Sequence, residues 1–173
     1  MKNILVFDIS KLIEKTTGTR DNYSFEGSID FEGIKSKATI KGEVEVMRIE
    51  EGFNVRIENI ETKVELVCDK CLKHYSQPIK INSTERIFYM DPPNMKTEDP
   101  NDLFMVDKKR LAVDITEVLR QEIILHFPIS YVCSRSCKGL CGICGKDRNK
   151  SKCDCKEETE GYRPLAKLKE LLK

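Results

Sequence analysis

The residues best equipped to do chemistry are eight cysteines. Cys68-Asp69-Lys70-Cys71 is a C-x2-C motif, and Cys133, Cys137, Cys141, Cys144, Cys153 and Cys155 follow much later, with gaps of three, three, two, eight and one residues. Thiolates are soft ligands, and a zinc ion needs only four of them at ~2.3 Å in a tetrahedron. Eight cysteines therefore divide naturally into two sites of four. Locality groups Cys141, Cys144, Cys153 and Cys155 on one ion. Cys68 and Cys71 would then share the other with Cys133 and Cys137, stapling two distant parts of the chain; interleaved pairings remain open. Cys141-Gly142-Ile143-Cys144-Gly145 has the form of a zinc knuckle, in which a tight turn presents two sulfurs and the following glycine lets the amides face them. Closed four-sulfur sites are structural, because a catalytic ion keeps a position for water.

Other uses of these residues fit less well. An iron–sulfur cluster would take the same ligands. A redox C-x2-C belongs at the start of a helix, whereas Cys71 leads through Leu72-Lys73-His74-Tyr75 into strand-like sequence. His74 and His126 could ligate metal, but eight thiolates already fill two sites, so they read as a surface residue and a helix-end residue. A disulfide framework would require an oxidising compartment. Met1 to Asp8 lacks the apolar stretch and cleavage site of a secretory signal. No apolar run approaches the roughly 18 residues that span a bilayer. The expectation is a cytoplasmic protein with reduced thiols, no membrane partner and no small-molecule substrate.

The elements that must position the sulfurs are mostly strands. Tyr23, Phe25, Ile29 and Phe31 alternate with polar residues around Gly27, and Ala38, Ile40, Val44 and Val46 do so around Gly42. Period-two alternation marks a strand with one buried face. After a turn at Glu50-Glu51-Gly52 the pattern resumes with Phe53, Val55 and Ile57, then changes phase to Ile60, Val64 and Leu66, which predicts a bulge or a break near Asn59. A further strand is expected with Ile79, Ile81, Ile87 and Tyr89 on one side. Short connections favour an antiparallel meander, and the C-x2-C falls at the tip of its longest hairpin. Asp91 to Asp102, with three prolines, reads as a loop, and Leu103 to Val106 as a short strand. A helix is expected over about 114–127, capped by Asp114 with Glu117 three residues on and ended by Pro128. Pro164 opens a last amphipathic helix carrying Leu165, Leu168, Leu171 and Leu172.

Several of these stretches resemble the YceD-like family of large ribosomal RNA subunit accumulation proteins. The resemblance rests on Val64 to Leu72 around the first cysteine pair, on Val113-Asp114-Ile115 with Glu122 to Leu125 and Pro128, on Cys137 to Gly145 with Asn149 and Cys153-Asp154-Cys155, and on Arg163-Pro164-Leu165 with Leu168. It implies a factor needed for normal levels of large-subunit (23S) ribosomal RNA. It brings no catalytic residue.

Direct RNA contact would have to be local, since the formal charge is only +1. Between Cys133 and Lys156 stand Arg135, Lys138, Lys146, Arg148, Lys150, Lys152 and Lys156, against Asp147 and Asp154. The thiolates of one loaded zinc site and half of the other reduce this excess to about +2 locally. Tyr131 and Tyr162 are the only nearby aromatics, few for a protein that stacks on bases. A solvated lysine-rich loop around a structural metal explains the same residues. The RNA-binding candidates are Arg135, Lys138, Lys146, Arg148, Lys150 and Lys152.

These readings converge on an α+β protein: a curled antiparallel β-meander with one long helix over residues 1–128, then a cysteine-rich zinc module and short helix over 129–173. Its expected role is non-enzymatic, with two structural zinc ions, binding ribosomal RNA, a pre-ribosomal particle or a ribosomal partner protein. A zinc-ribbon regulator of transcription is the alternative. No cluster of carboxylates and histidine suggests a hydrolytic metal centre, because the acidic residues lie mostly on alternating strand faces.

Overall fold

A computed structural model describes residues 5–31, 38–93 and 103–155. The expected C-terminal helix and most of the proline-rich loop lie outside these residues. In chain order the elements are β1 (Val6–Asp8), α1 (Ser10–Ile13), β2 (Arg20–Ile29), β3 (Ala38–Arg48), β4 (Gly52–Val67), β5 (His74–Tyr89), β6 (Phe104–Met105), β7 (Ala112–Asp114) and α2 (Thr116–Leu125). Strands β2 to β5 form the meander that the short connections suggested, every neighbouring pair being antiparallel. Two-residue β6 joins the end of β5 in parallel, and β1 pairs with β7 in a separate antiparallel ribbon. That ribbon and α1 draw the N-terminal residues Leu5, Phe7, Ile9 and Leu12 into the same apolar core as the sheet. Val118, Leu119 and Ile123 bring α2 into it as well.

The phase change in β4 is real and sits at Asn59, whose φ is +53°. Against β3, Asn59 and Ile60 together oppose Gly42, because the pairing passes from Glu43↔Glu58 to Lys41↔Glu61. Two residues facing one is a β-bulge. Against β5 there is no slip: β4 and β5 keep one register from Gly52↔Tyr89 to Val67↔His74. A face change in β4 is therefore copied into β5. Ile79 and Ile81 are buried as expected, but beyond them the inward residues become Thr84 and Phe88. The expectation for Ile87 and Tyr89 was wrong. Ile87 is 39% exposed while Phe88 is 2% exposed.

Two other expectations are corrected. The helix is not long: α2 has ten residues. Val113 and Asp114 belong to β7, where Asp114 pairs with Val6. The N-cap is Ile115 and not the expected Asp114, whose carboxylate instead accepts the Thr116 amide at 2.9 Å from one residue further out. The end of α2 is fixed by His126, whose Nδ1 lies 2.8 Å from the Glu122 carbonyl. Glu122 itself ties the helix to the sheet, accepting the Thr84 hydroxyl at 2.8 Å.

On the outer face, Lys41 and Lys80 flank Glu61 across three strands, at 2.9 and 2.6 Å. Hydrogen bonds from Lys80 and Lys41, in that order, lower the Glu61 carboxyl to about 2. Such exposed pairs add little stability individually. They do favour one register, since a slip of one residue would break them and turn the apolar face outward.

Gly42 is the point where bulge and core meet. A Cβ there would lie 2.8 Å from Phe25 Cζ and 2.9 Å from the Glu58 carbonyl oxygen. Gly42→Val should therefore destabilise the fold by about 2 kcal/mol or more, through overpacking against backbone that cannot retreat. Denaturant unfolding monitored by far-UV circular dichroism checks this, and an unchanged midpoint would show that the bulge tolerates a side chain.

Candidate metal centre

The long β4–β5 hairpin carries the first cysteine pair beyond its last strand pair, Val67↔His74. Its tip is a tight turn. The Cys68 amide donates to the Lys73 carbonyl at 2.9 Å, the Leu72 amide to the Cys68 carbonyl at 2.8 Å, and Leu72 adopts φ +57°. The second pair repeats this geometry. The Cys141 amide donates to Lys146 at 2.8 Å, the Gly145 amide to Cys141 at 2.9 Å, and Gly145 has φ +70°. Leu140 and Asp147 bridge beneath this turn as Val67 and His74 do beneath the first. Both motifs are knuckles. Glycine takes the left-handed position at no steric cost in one, whereas leucine accepts it in the other at about 1 kcal/mol.

The sulfurs gather in two groups of four. Cys68, Cys71, Cys133 and Cys137 form the first, and Cys141, Cys144, Cys153 and Cys155 the second; within each, all Sγ atoms lie within 4.8 Å of one another. Cys68 and Cys137 are 3.9 Å apart, and Cys71 and Cys133 are 3.7 Å apart. Sulfurs bonded to each other would be ~2.05 Å apart. A tetrahedron of sulfurs ~2.3 Å from a central ion has edges of ~3.8 Å. The donor set and its spacing fit a thiophilic divalent ion. The first group is the more buried: Cys68, Cys71 and Cys137 are buried and Cys133 half-buried, whereas in the second only Cys141 is buried, Cys153 and Cys155 are half-buried and Cys144 is exposed.

Electrostatics within each group point the same way. Burial pushes the Cys68 thiol up, but amides of Cys133, Cys71 and Lys70 outweigh it and bring the thiol down to about 6. Amides of Cys144 and Ile143 lower Cys141 to about 6. Burial and the neighbouring sulfurs push Cys133 up to about 12. The Cys144 sulfur, then burial, do the same for Cys155. The knuckle amides welcome the first negative charge, while crowding resists the last. A cation at the centre removes that resistance, so metal binding and loss of thiol protons are linked.

Side chains around the sulfurs hold the arrangement together. Asp69 clamps the hairpin tip to the segment that carries Cys133, its amide donating to the Tyr131 carbonyl at 2.7 Å and its carboxylate accepting the Tyr131 amide at 2.8 Å. The rings of Phe31, Phe127 and Tyr131 continue this contact back to the core, with centroids 5.7 and 6.5 Å apart. The Leu140 amide donates to the Lys70 carbonyl at 2.9 Å, and Gly139 lies so close that a Cβ would be 2.9 Å from that oxygen. Asn149 joins the two groups: its Oδ1 accepts the Lys138 amide at 2.8 Å, and its Nδ2 lies 3.6 Å from Cys137 Sγ. The buried Tyr75 hydroxyl, without a hydrogen-bond partner among the described residues, belongs to a side chain packed on the first group. Asn149 was legible only as part of the family resemblance, and nothing in the local pattern singled out Asp69 or Tyr75.

Neither histidine joins a sulfur group. His74 is exposed at the hairpin end and His126 closes α2. Of the six basic candidates, Arg135, Lys138, Lys146, Lys150 and Lys152 are exposed. Arg148 differs: it is half-buried, with its guanidinium Nη2 3.8 Å from Cys141 Sγ. That placement favours holding the second sulfur group over reaching outward.

The profile of the family described as large ribosomal RNA subunit accumulation protein YceD matches residues 58–172, which include all eight cysteines. The chain belongs to the YceD family. A curated relative, the chloroplastic large ribosomal RNA subunit accumulation protein YCED homolog 1 of Arabidopsis thaliana, is 42% identical over 60 residues. That match covers 34% of this chain and 19% of the relative. No solved structure matches. The YceD description names accumulation of an RNA subunit and no chemical reaction. Among the described residues no helix is long and apolar enough to cross a membrane.

Replacing Asn149 by alanine should lower metal affinity of the Cys68 group about tenfold, the usual scale for a lost outer contact to a ligand. Asn149→Asp keeps the acceptor for Lys138 but loses the donor to sulfur, so it separates loop support from ligand support. Competition with a chromophoric chelator measures both, and equal affinity in all three proteins would leave Asn149 without a metal-related role.

Proposed function

We propose that this YceD-family chain is a non-enzymatic factor for the accumulation or assembly of large-subunit ribosomal RNA, with zinc in both four-cysteine groups. The observation that carries the role is the family match over residues 58–172, a stretch containing both sulfur groups. Four closed thiolates leave no ligand position for water, which supports a structural use of the metal. Zinc suits the site because it has no redox chemistry and no directional demand beyond the tetrahedron. The chain then works as a sheet unit over residues 1–128 and a cysteine module over 129–173, joined through the first group. Its partners are ribosomal RNA, a pre-ribosomal particle or a protein bound to one, in a compartment that keeps thiols reduced, such as the cytoplasm.

The purified protein should contain two zinc ions per chain, with its cysteines unreactive to thiol reagents until a chelator is added. Elemental analysis giving one ion, or mainly iron, would overturn the two-zinc assignment. Cells lacking the protein should hold less mature large-subunit RNA relative to small-subunit RNA, read by electrophoresis of total RNA. Normal ratios at ordinary, low and high growth temperature would count against the role itself.

A further inference from the structure

Two lysines of the hairpin tip, remote in sequence from the basic residues of the cysteine module, are brought against them by the first sulfur group. The Lys70 carbonyl receives the Leu140 amide, and a Cβ added to Gly139 would lie 3.3 Å from Lys70 Cβ. Asp147 is held below the usual carboxylate range by hydrogen bonds from Asn149 and, more weakly, by the charges of Lys150 and Lys73. Asp147 also accepts the Asn149 amide, next to Lys150, while Asn149 accepts that of Lys138. Lys146 closes the second knuckle through its carbonyl. All five of these lysines are exposed.

We propose that Lys70, Lys73, Lys138, Lys146 and Lys150 form one composite basic face that grips the phosphodiester backbone of helical RNA. The inference deepens the proposed role in ribosomal RNA accumulation and rests on it. Three observations favour phosphate. On the sheet, Arg20, Lys41, Arg56, Lys80 and Arg86 each pair with a carboxylate. None of the five lysines of the composite face has such an ion pair among the described residues. The chain as a whole is only +1, so the concentration of lysine here leaves the remainder net acidic and orients the molecule toward a polyanion. Finally, Tyr131 is half-buried and occupied with Phe127, so among the described residues no exposed Phe, Tyr or Trp ring stands beside the lysines for base stacking. Single-strand binders need such rings, whereas a helix is recognised through its shape and backbone.

The face exists only when the hairpin tip and the module are held together, so binding requires the first sulfur group to be intact. Fluorescence anisotropy of the metal-loaded full chain with a labelled RNA stem-loop and an unstructured RNA oligonucleotide tests this. The stem-loop should bind more tightly. Lys70→Ala with Lys73→Ala, and separately Lys138→Ala with Lys150→Ala, should each weaken it about tenfold or more and reduce the salt slope by roughly one per lost phosphate contact. Metal content should be unchanged in both, and a Lys11→Ala, Lys109→Ala control should bind like wild type. Cys68→Ser should abolish the stem-loop preference. Stem-loop binding unaffected by the Lys70 and Lys73 substitutions would remove the hairpin tip from the surface. Failure of the wild-type chain to bind either RNA, with capture of a ribosomal protein on the exposed Leu72 and Ile143 instead, would overturn the inference. The deletion strain judges the underlying role separately: reduced large-subunit RNA without RNA binding sinks only this proposal, whereas normal large-subunit RNA sinks the role on which it rests.

Discussion

Four sulfurs crowded within 4.8 Å at the end of a hairpin is the arrangement on which the rest depends. Two come from the β4–β5 turn and two from a segment more than sixty residues further on, the Cys68 and Cys137 positions being 69 residues apart. Their negative charges would repel one another, and the amides that lower the Cys68 thiol are opposed at Cys133 by burial and the neighbouring sulfurs. The cysteine-rich segment has little secondary structure of its own, apart from turns and one isolated bridge. Its path is set by sulfur geometry together with the Asp69, Lys70 and Asn149 contacts. A metal that binds only the gathered arrangement stabilises it by linkage.

The sheet makes that gathering possible by being a stiff arm. Sixteen-residue β4 and β5 pair without a register change. One bulge at Asn59 swaps the inward face, and the unbroken pairing transmits the swap to β5. The apolar core therefore stays continuous on both sides of the bulge, from Phe53 and Phe88 near one end to Val64 and Leu66 near the other. Tyr75 packs on both the core and the sulfur cluster, so the arm and its load share one packed interior.

Much of this was legible in the sequence, for identifiable reasons. Thiol spacing reports coordination directly, and the grouping that locality favours is the grouping of the sulfurs in space. Alternation revealed the strands and the slip at Asn59, because each residue's polarity reflects the face it occupies. The matching slip in β5 was missed because it is enforced by pairing with β4, and Ile87 looks inward when its own strand is read alone. Helix α2 was overextended at its start because Asp114 reads as a cap, whereas its backbone pairs with Val6 of β1, which no periodicity within the segment can announce. The inward turn of Arg148 and the left-handed backbone of Leu72 were hidden for a related reason. Each is an adjustment to neighbours distant in sequence or to a turn that usually selects glycine.

The separation between the two halves of the first sulfur group also has a consequence in time. Strands β2 to β5 can pair as soon as they leave the ribosome, but Cys133 follows Cys71 by 62 residues. At typical elongation rates of about 5–20 residues per second, the finished hairpin waits on the order of several seconds before its remaining ligands exist. During that interval its tip is a bare two-thiol turn, open to oxidants, to a weakly held ion or to a second nascent chain with the same turn. Only the arrival of Cys133 and Cys137 turns a reactive end into an inert one.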